Sequence, residues 1–452
     1  MRPLRRITFI RPNLADVRAS DAMTPLVFSI LAARTPKRIA LELVDERLEP
    51  VRDRETDLVA MTVETFTARR AYEIADRYRA RGVPVVMGGY HPTLMPDEAS
   101  GHADAIVIGD AEGAWEQLIE DFEAGELKPV YRGDAKKGLD GIVYDRSIFR
   151  GKRYAPLTLI QAGRGCRFAC DFCSIHAFYG SNVQYRPLDD ILREVSATGK
   201  RRPIFFVDDN LYGRRAEFVA FMRALRPLGR RWCCQISIDV ARDDELLDLM
   251  AEAGCFLALI GFESVTRESL VQMGKRWNGV AGDYADVVER FRKRRIAIYG
   301  TFVVGYDADG PGAFDAILDF AQRAKLGIGN FNALTPMPGT RLYDRLKAQG
   351  RMTRDRWWLD PEYRYGETTF SPALIGPDDL SERCYRARKS FYGVGSIARR
   401  MFTAPELLRS PWLLGLMLLA NGVSRKEIHR KQNRPLGRVA RVEDGARLEA
   451  AS

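Results

Sequence analysis

Three cysteines that could hold one metal centre stand within eight positions: Cys166, Cys170 and Cys173, just after a glycine-opened turn at residues 163–165. Iron–sulfur cubanes are normally held by four thiolates, so three cysteines leave one iron open to a substrate or cofactor. Zinc is the alternative, but a structural zinc takes four ligands. The nearest fourth ligand, His176, would make a cramped local site.

The cysteine loop follows the first of six apolar runs that alternate with helix-period segments in the middle of the chain. This alternation predicts a partial (β/α)6 barrel, with chemistry gathered at the carboxyl ends of the strands. The six runs are residues 157–161, 204–207, 232–238, 257–261, 296–304 and 331–334.

The C-x3-C-x2-C spacing after the first strand of such a barrel resembles the radical S-adenosylmethionine (SAM) superfamily. Phe172, just before the third cysteine, fits that family's aromatic residue at this place. The resemblance implies a [4Fe-4S] cluster on Cys166, Cys170 and Cys173, whose open iron binds SAM. One electron from a low-potential donor then cleaves SAM to methionine and a 5'-deoxyadenosyl radical for C–H functionalisation.

Later strand ends extend the resemblance over residues 155–345 and supply candidate SAM contacts. Gln235 and Ser237 share one face of the third strand because side chains alternate along a strand. Asp208 and Asp209 could instead cap a helix, and Lys275 could be a solvated charge. With Phe172, the residues that the resemblance places at SAM are Asp208, Asp209, Gln235, Ser237, Glu263 and Lys275.

The first 125 residues also alternate between apolar runs and helix-period segments, which predicts a doubly wound parallel sheet. Placed before a radical SAM barrel, and with glycine-rich turns at 88–93 and 109–113, it resembles a cobalamin-binding domain. The D-x-H-x-x-G motif is absent, and we interpret His91 as a turn residue rather than a cobalt ligand. The candidate cobalamin contacts are Thr62, Thr65, Gly88, Gly89, Tyr90, Gly109 and Glu112.

The resemblance implies cobalamin-dependent C-methylation of a lipid or natural-product intermediate. One SAM would methylate reduced cobalt, and a second would yield the radical that takes hydrogen from the carbon that receives the methyl group. Two alternatives stay open: a cobalamin-free radical SAM dehydratase, cyclase or rearrangement enzyme, and a non-catalytic iron–sulfur or cobalamin sensor. No catalytic residue beyond the cofactor contacts follows from the sequence.

The net charge of +10 is concentrated near the C-terminus, because residues 383–441 hold 14 basic and two acidic residues. The rest of the chain is nearly neutral, which argues against nucleic acid as a partner. An apolar run at 412–420 with basic flanks is too short to span a bilayer. Residues 410–434 could contact an anionic membrane peripherally, or form a buried docking helix.

We expect three units: a B12-binding-like Rossmann domain at 1–135, a radical SAM core at 155–345 and a basic, mostly helical cap at 346–452. The glycine-containing stretch 126–153 resembles a polar linker. Trp357 and Trp358 in the cap could roof the barrel, but we favour packing between domains. Seven cysteines are too few for a disulfide framework, and no signal-peptide core is evident. We therefore expect a cytoplasmic protein, peripheral on the inner membrane face at most.

Overall fold

The N-terminal part of the chain builds a six-stranded parallel sheet. The computed structural model describes residues 3–15, 18–133 and 139–437. The strand order is β2-β1-β3-β4-β5-β6. The strands are β1 (Arg6–Arg11), β2 (Ala40–Asp45), β3 (Leu58–Thr62), β4 (Val85–Gly88), β5 (Ala105–Ile108) and β6 (Val130–Arg132).

Helices cover both faces of this sheet, as a doubly wound fold requires, because its apolar strands are buried on both sides. The helices are α1 (Leu26–Arg34), α2 (Ala68–Arg79), α3 (Tyr90–Leu94), α4 (Pro96–Ser100) and α5 (Ala114–Ala124). The predicted sheet is thus confirmed. The linker prediction was wrong in part, because β6 lies within 126–153 and pairs with β5. Polar residues on both sides of this short edge strand made the stretch resemble a linker. Residues 134–138 of the same stretch lie outside the described ranges.

A second parallel sheet forms the predicted partial barrel, with strand order β14-β13-β12-β11-β10-β7. A small antiparallel ladder, β8 with β9, follows the first strand. The strands are β7 (Thr158–Ile160), β8 (Gly163–Arg164), β9 (Gln184–Tyr185), β10 (Ile204–Phe206), β11 (Trp232–Gln235), β12 (Cys255–Glu263), β13 (Ala297–Val304) and β14 (Ile328–Ala333).

The third barrel strand is shorter than the apolar run predicted. It ends at Gln235, and the chain then forms a 3-10 helix over Ile238–Arg242. Outside the sheet, phenylalanines of neighbouring strands stack into a core, with Phe302 between Phe262 and Phe331. The surrounding helices are α6 (Ser174–Tyr179), α7 (Leu188–Ala197), α8 (Arg215–Leu225), α9 (Asp244–Glu252), α10 (Arg267–Gln272), α11 (Tyr284–Lys293) and α12 (Ala313–Arg323).

The C-terminal region is mostly helical and packs on both sheets. Trp357 and Trp358 are fully buried in a core shared with β1, β3, α2 and β4, as interdomain packing predicts. On α17, Leu413, Met417 and Asn421 are buried on one face. No helix among the described residues is long and apolar enough to cross a membrane. The helices are α13 (Arg341–Ala348), α14 (Pro377–Phe391), α15 (Val394–Thr403), α16 (Pro405–Leu408) and α17 (Pro411–Lys431).

Candidate active site and cofactor cavities

The three cysteines line one cavity of about 360 Å³ at the carboxyl ends of the barrel strands. Cys170 is buried, whereas Cys166 and Cys173 are partly exposed. Helix α6 begins immediately after Cys173. No group of three His, Cys, Asp or Glu side chains in the described ranges is placed to hold a single ion. A cubane distributes its thiolates over several irons, so three cysteines around one cavity fit a cluster.

Burial controls the protonation of these thiols. It raises the pKa of Cys166 and Cys173, and it raises the pKa of Cys170 to about 12. The charge of Lys275 opposes this shift at all three sulfurs. The metal-free thiols are therefore protonated near neutral pH, and binding iron must release their protons.

A buried ion pair lies in the wall of the same cavity. Lys275 Nζ is 2.7 Å from Glu263 Oε1, and both side chains are about nine-tenths buried. Burial lowers the pKa of Lys275, but the charge of Glu263 and that of Cys170 outweigh burial and raise it. Glu263 has a φ of 63°, an uncommon left-handed conformation for a non-glycine residue. A strained backbone at a strand end is typical of functional sites.

Two polar atoms in this cavity have no protein partner among the described residues. They are the Oγ of Ser237 and the Nε1 of Trp277. Trp277 stacks on Phe168 at 3.7 Å between ring centroids, which fixes the indole beside the cysteine loop. A buried donor without a partner costs free energy. A polar ligand such as SAM would satisfy both atoms, and the cavity fits it.

The two adjacent carboxylates after β10 have different environments. Asp209 lines the cysteine cavity and accepts a hydrogen bond from Gly165 N at 2.8 Å. Asp208 lies behind the loop, accepts from Ala162 N at 3.1 Å, and does not line this cavity. Burial raises the pKa of Asp208 to about 7. Of the two carboxylates, only Asp209 therefore lines the cavity of the three cysteines.

The other predicted SAM contacts reach the cavity as well. Phe172, Gln235 and Ser237 line it. Gln235 Nε2 donates to the backbone oxygen of Asp209 at 2.8 Å, and the backbone N–H of Ser237 donates to Asn210 at 2.9 Å. Lining residues that sequence reasoning missed include Trp277, Tyr299, Thr301 and Asn330. Alternation along β13 could have indicated Tyr299 and Thr301, which share one face of that strand.

A second cavity, of about 370 Å³, lies at the carboxyl ends of β3, β4 and β5 and faces the barrel. Thr62, Gly88, Gly89, Gly109 and Glu112 line this edge, together with Tyr90. Farther in, the cavity runs between α1 and the sheet, along Leu31, Ala60, Val86, Val107 and Trp115. The glycines at the rim have no side chains, so a large flat ring could approach the backbone there, and the apolar inner part could hold an elongated tail. The cavity therefore fits cobalamin, which has both parts.

Arg164 joins the barrel to this cavity. Its guanidinium contacts Glu112 at 2.6 Å and Asp110 at 3.2 Å, and its side chain is only 7% exposed. Burial raises the pKa of Glu112, but the hydrogen bond and charge of Arg164 outweigh burial and hold it below the ordinary value. Glu112 therefore has a protein partner, although it also lines the cavity.

Thr65 and His91 lie away from the second cavity. Thr65 Oγ1 is 3.3 Å from His91 Nδ1. His91 is fully buried, and its Nε2 is 3.0 Å from Glu98, which also accepts from Trp358 Nε1 at 2.9 Å. His91 therefore belongs to the interdomain core rather than to a cobalt site. Thr62 and Thr65 could not be distinguished from the sequence, because both follow the apolar residues of β3.

Two family models match the chain. The radical SAM superfamily matches residues 160–321, and the B12 binding domain matches residues 30–119. The bacteriochlorophyllide d C-12(1)-methyltransferase of Chlorobaculum tepidum is 32% identical over 415 residues, 89% of each chain. The chain belongs to the B12-binding radical SAM family. The bacteriochlorophyllide d C-8(2)-methyltransferase of Chlorobaculum tepidum is 30% identical to this chain over 355 residues, which cover 74% of this chain and 78% of that relative.

A solved structure has the same architecture over nearly the whole chain. The radical SAM methyltransferase TsrM from Kitasatospora setae, bound to cobalamin and a [4Fe-4S] cluster, superposes with a TM-score of 0.60. The match covers 95% of this chain and 99% of TsrM at 17% identity, so it concerns the fold. The protein is an enzyme whose cofactors are a [4Fe-4S] cluster, SAM and cobalamin, and it needs a small-molecule substrate and a reductant.

Proposed function

We propose that this enzyme transfers a methyl group from SAM to a carbon of its substrate, with cobalamin as the methyl carrier. The observation that carries the proposal is that Asp209 lines both cavities. Helix α6 also connects them, because it begins after Cys173 and ends at Phe178 and Tyr179 in the second cavity. Six helical residues span about 9 Å, so both cofactors would face one space.

The chain's own residues would position the two cofactors. We assign the cluster to Cys166, Cys170 and Cys173, whose bound metal supplies the electron that cleaves SAM. We assign SAM to Phe172, Asp209, Gln235, Ser237, Glu263 and Lys275. We assign cobalamin to Thr62, Gly88, Gly89, Tyr90, Gly109 and Glu112. The boundaries 1–135, 155–345 and 346–452 also remain our proposal for the functional units.

We propose a chlorophyllide-type tetrapyrrole as the substrate. Two relatives with at least 30% identity are named for methylation of bacteriochlorophyllide d, which supports this class. A lipid is the second candidate, because the hopanoid C-2 methylase of Rhodopseudomonas palustris is 25% identical over 362 residues, 76% of this chain.

The test is an anaerobic assay of the reconstituted enzyme with trideuteromethyl-SAM and bacteriochlorophyllide d. We expect a product heavier by one trideuterated methyl group, formed together with 5'-deoxyadenosine. Cys170→Ala should abolish both the cluster absorbance and SAM cleavage. Substrate-linked 5'-deoxyadenosine without a methylated product would contradict methyl transfer. Methylation of a hopanoid instead would contradict only the substrate class.

We propose peripheral contact with an anionic membrane through α15, α16 and α17. Five large apolar side chains are exposed there: Val394, Phe402, Leu408, Trp412 and Leu419. Four exposed cations nearby form no ion pair within the described part of the chain: Arg399, Arg409, Arg425 and Lys426. Apolar side chains flanked by unpaired basic ones are typical of interfacial helices.

Sedimentation with phosphatidylglycerol vesicles tests this contact. We expect binding that is lost with phosphatidylcholine vesicles and weakened by the double variant Phe402→Ser/Leu408→Ser. Val143→Ser is the control, because Val143 is also an exposed large apolar residue but lies outside α15, α16 and α17. Equal sedimentation of both variants and the unmodified protein would rule out this face.

A further inference from the structure

The open side of the partial barrel is bordered by side chains of α14. The barrel sheet ends at β14 on one side and at β7 on the other, so the backbone of β14 has a free edge. On this edge Tyr392 Oη donates to Gly329 O at 2.9 Å, and Arg388 Nε donates to Phe331 O at 2.7 Å. Helix α14 therefore places the guanidinium of Arg388 at the free edge of β14.

The guanidinium of Arg388 reaches from this edge to the inner face of the barrel. Its Nη2 donates to Asn332 Oδ1 at 3.3 Å. Asn332 and Asn330 share one face of β14, because side chains alternate along a strand, and Asn330 lines the cavity of the three cysteines. Two residues of a strand span about 7 Å, so Arg388 lies just beyond the SAM cavity, toward the carboxyl end of β14.

Arg388 is half-buried and forms no ion pair with any residue that the structure describes. Of its five N–H donors, Phe331 and Asn332 engage two, which leaves Nη1 and one hydrogen of Nη2 for a ligand. Asp378 is in the first turn of α14, whereas Arg388 is in the last. Carboxylates on the surrounding elements act on other groups: Asp315 and Asp379 on Arg383, Glu382 on Arg386, Glu367 on the backbone N–H of Arg364, and Glu427 on Arg430.

A half-buried guanidinium with donors to spare suits a carboxylate ligand. Two parallel N–H···O bonds match the planar carboxylate, and the charges make these bonds stronger than bonds between neutral groups. The backbone oxygen of Phe331 and the amide of Asn332 already hold the guanidinium in place, so little side-chain entropy is lost when a carboxylate binds. The bound molecule would extend from Arg388 toward Asn330.

We propose that Arg388 binds a carboxylate of the substrate and selects substrates that carry one. The inference rests on the proposed tetrapyrrole substrate, since a chlorophyllide has a propionate side chain that is not esterified. With the propionate at Arg388, the ring extends along the inner face of β14 toward Asn330 and the SAM cavity. Arg388 acts on the binding of the substrate and not on the transfer of the methyl group.

The test compares bacteriochlorophyllide d with its propionate methyl ester, which has the same ring but no free carboxylate. Each is titrated into the reconstituted enzyme without reductant, so that no turnover occurs, and binding is followed by tryptophan fluorescence. We expect the unmodified protein to bind the free acid at least about tenfold more tightly than the ester. Arg388→Gln should remove this preference by weakening only the binding of the acid, and Arg388→Lys should keep part of it. Arg386→Gln, which breaks an exposed ion pair on the same helix, is the control and should keep the full preference.

In turnover, Arg388→Gln should raise KM for the free acid and leave kcat nearly unchanged. Equal affinity of the unmodified protein for acid and ester, or a full acid preference in Arg388→Gln, would overturn the proposal. So would an equal weakening of acid and ester in Arg388→Gln, which is the result that a purely structural role beside β14 predicts. Binding of neither form by the unmodified protein would instead contradict the tetrapyrrole substrate of the proposed function, so the two failures are distinguishable.

Discussion

At the scale of single residues, the buried pair of Lys275 and Glu263 is the most sensitive feature of the SAM cavity. Lys275→Met leaves a buried carboxylate without its partner, which costs about 3–5 kcal/mol of unfolding free energy. We also expect SAM binding to weaken at least tenfold. Denaturant unfolding and calorimetric SAM titration measure both, with Lys293→Met as an exposed control. Unchanged SAM affinity in Lys275→Met would remove Lys275 from the proposed site.

A second residue-scale prediction concerns Asp208, whose pKa burial raises to about 7. A carboxyl with a raised pKa favours the fold when protonated, so its contribution is complete below about pH 4 and is lost as pH rises through 7. We expect the thermal midpoint to fall between about pH 4 and pH 7, and to fall less in Asp208→Asn. Parallel pH profiles for the two proteins would show that Asp208 does not titrate in this range.

At the scale of elements, the carboxyl end of β12 is shaped by a glycine. A Cβ on Gly261 would collide with the Glu263 carboxylate and lie 3.0 Å from Lys275 Nζ. Gly261→Ala should therefore displace the ion pair and weaken SAM binding about tenfold or more in a calorimetric titration. Gly415→Ala on α17, where nothing lies within 4 Å, should leave SAM affinity unchanged and slightly stabilise the helix. Equal affinities would show that the end of β12 does not shape the site.

Most strands of both sheets could be predicted from the sequence, but one edge strand and several site residues could not. The alternation of apolar runs with helix-period segments was enough to predict both sheets, because buried parallel strands have long apolar runs. The C-x3-C-x2-C spacing was enough to predict the cysteine loop. These patterns missed β6, because only Tyr131 is buried in this three-residue edge strand and no apolar run indicates it. They also could not distinguish Asp208 from Asp209, since only the turn after β10 decides which carboxylate faces the cavity. Tyr299 and Asn330 were missed because the way the strands close into a barrel decides which side chains face its interior.

At the scale of the whole molecule, Arg164 of the β8–β9 ladder pairs with Asp110 and Glu112, which follow β5 of the N-terminal sheet. Arg164→Ala leaves two partly buried carboxylates uncompensated, so we expect a loss of about 3–5 kcal/mol and a lower cobalamin content. Arg193→Ala, which breaks an exposed pair on α7, should cost about 0–1 kcal/mol and leave cobalt unchanged. Cobalt analysis and thermal unfolding check both. Full cobalamin content in Arg164→Ala would show that the second cavity does not depend on this link.

Methyl transfer through cobalamin requires both cofactor cavities, which meet at Asp209. The most direct measurement is cobalt per chain, after anaerobic purification from cells supplied with iron, sulfide and hydroxocobalamin. We predict a ratio near one cobalt per chain, with the iron–sulfur absorbance intact. Absence of cobalt in a protein that carries its iron–sulfur cluster would contradict a cobalamin-dependent methyl transfer.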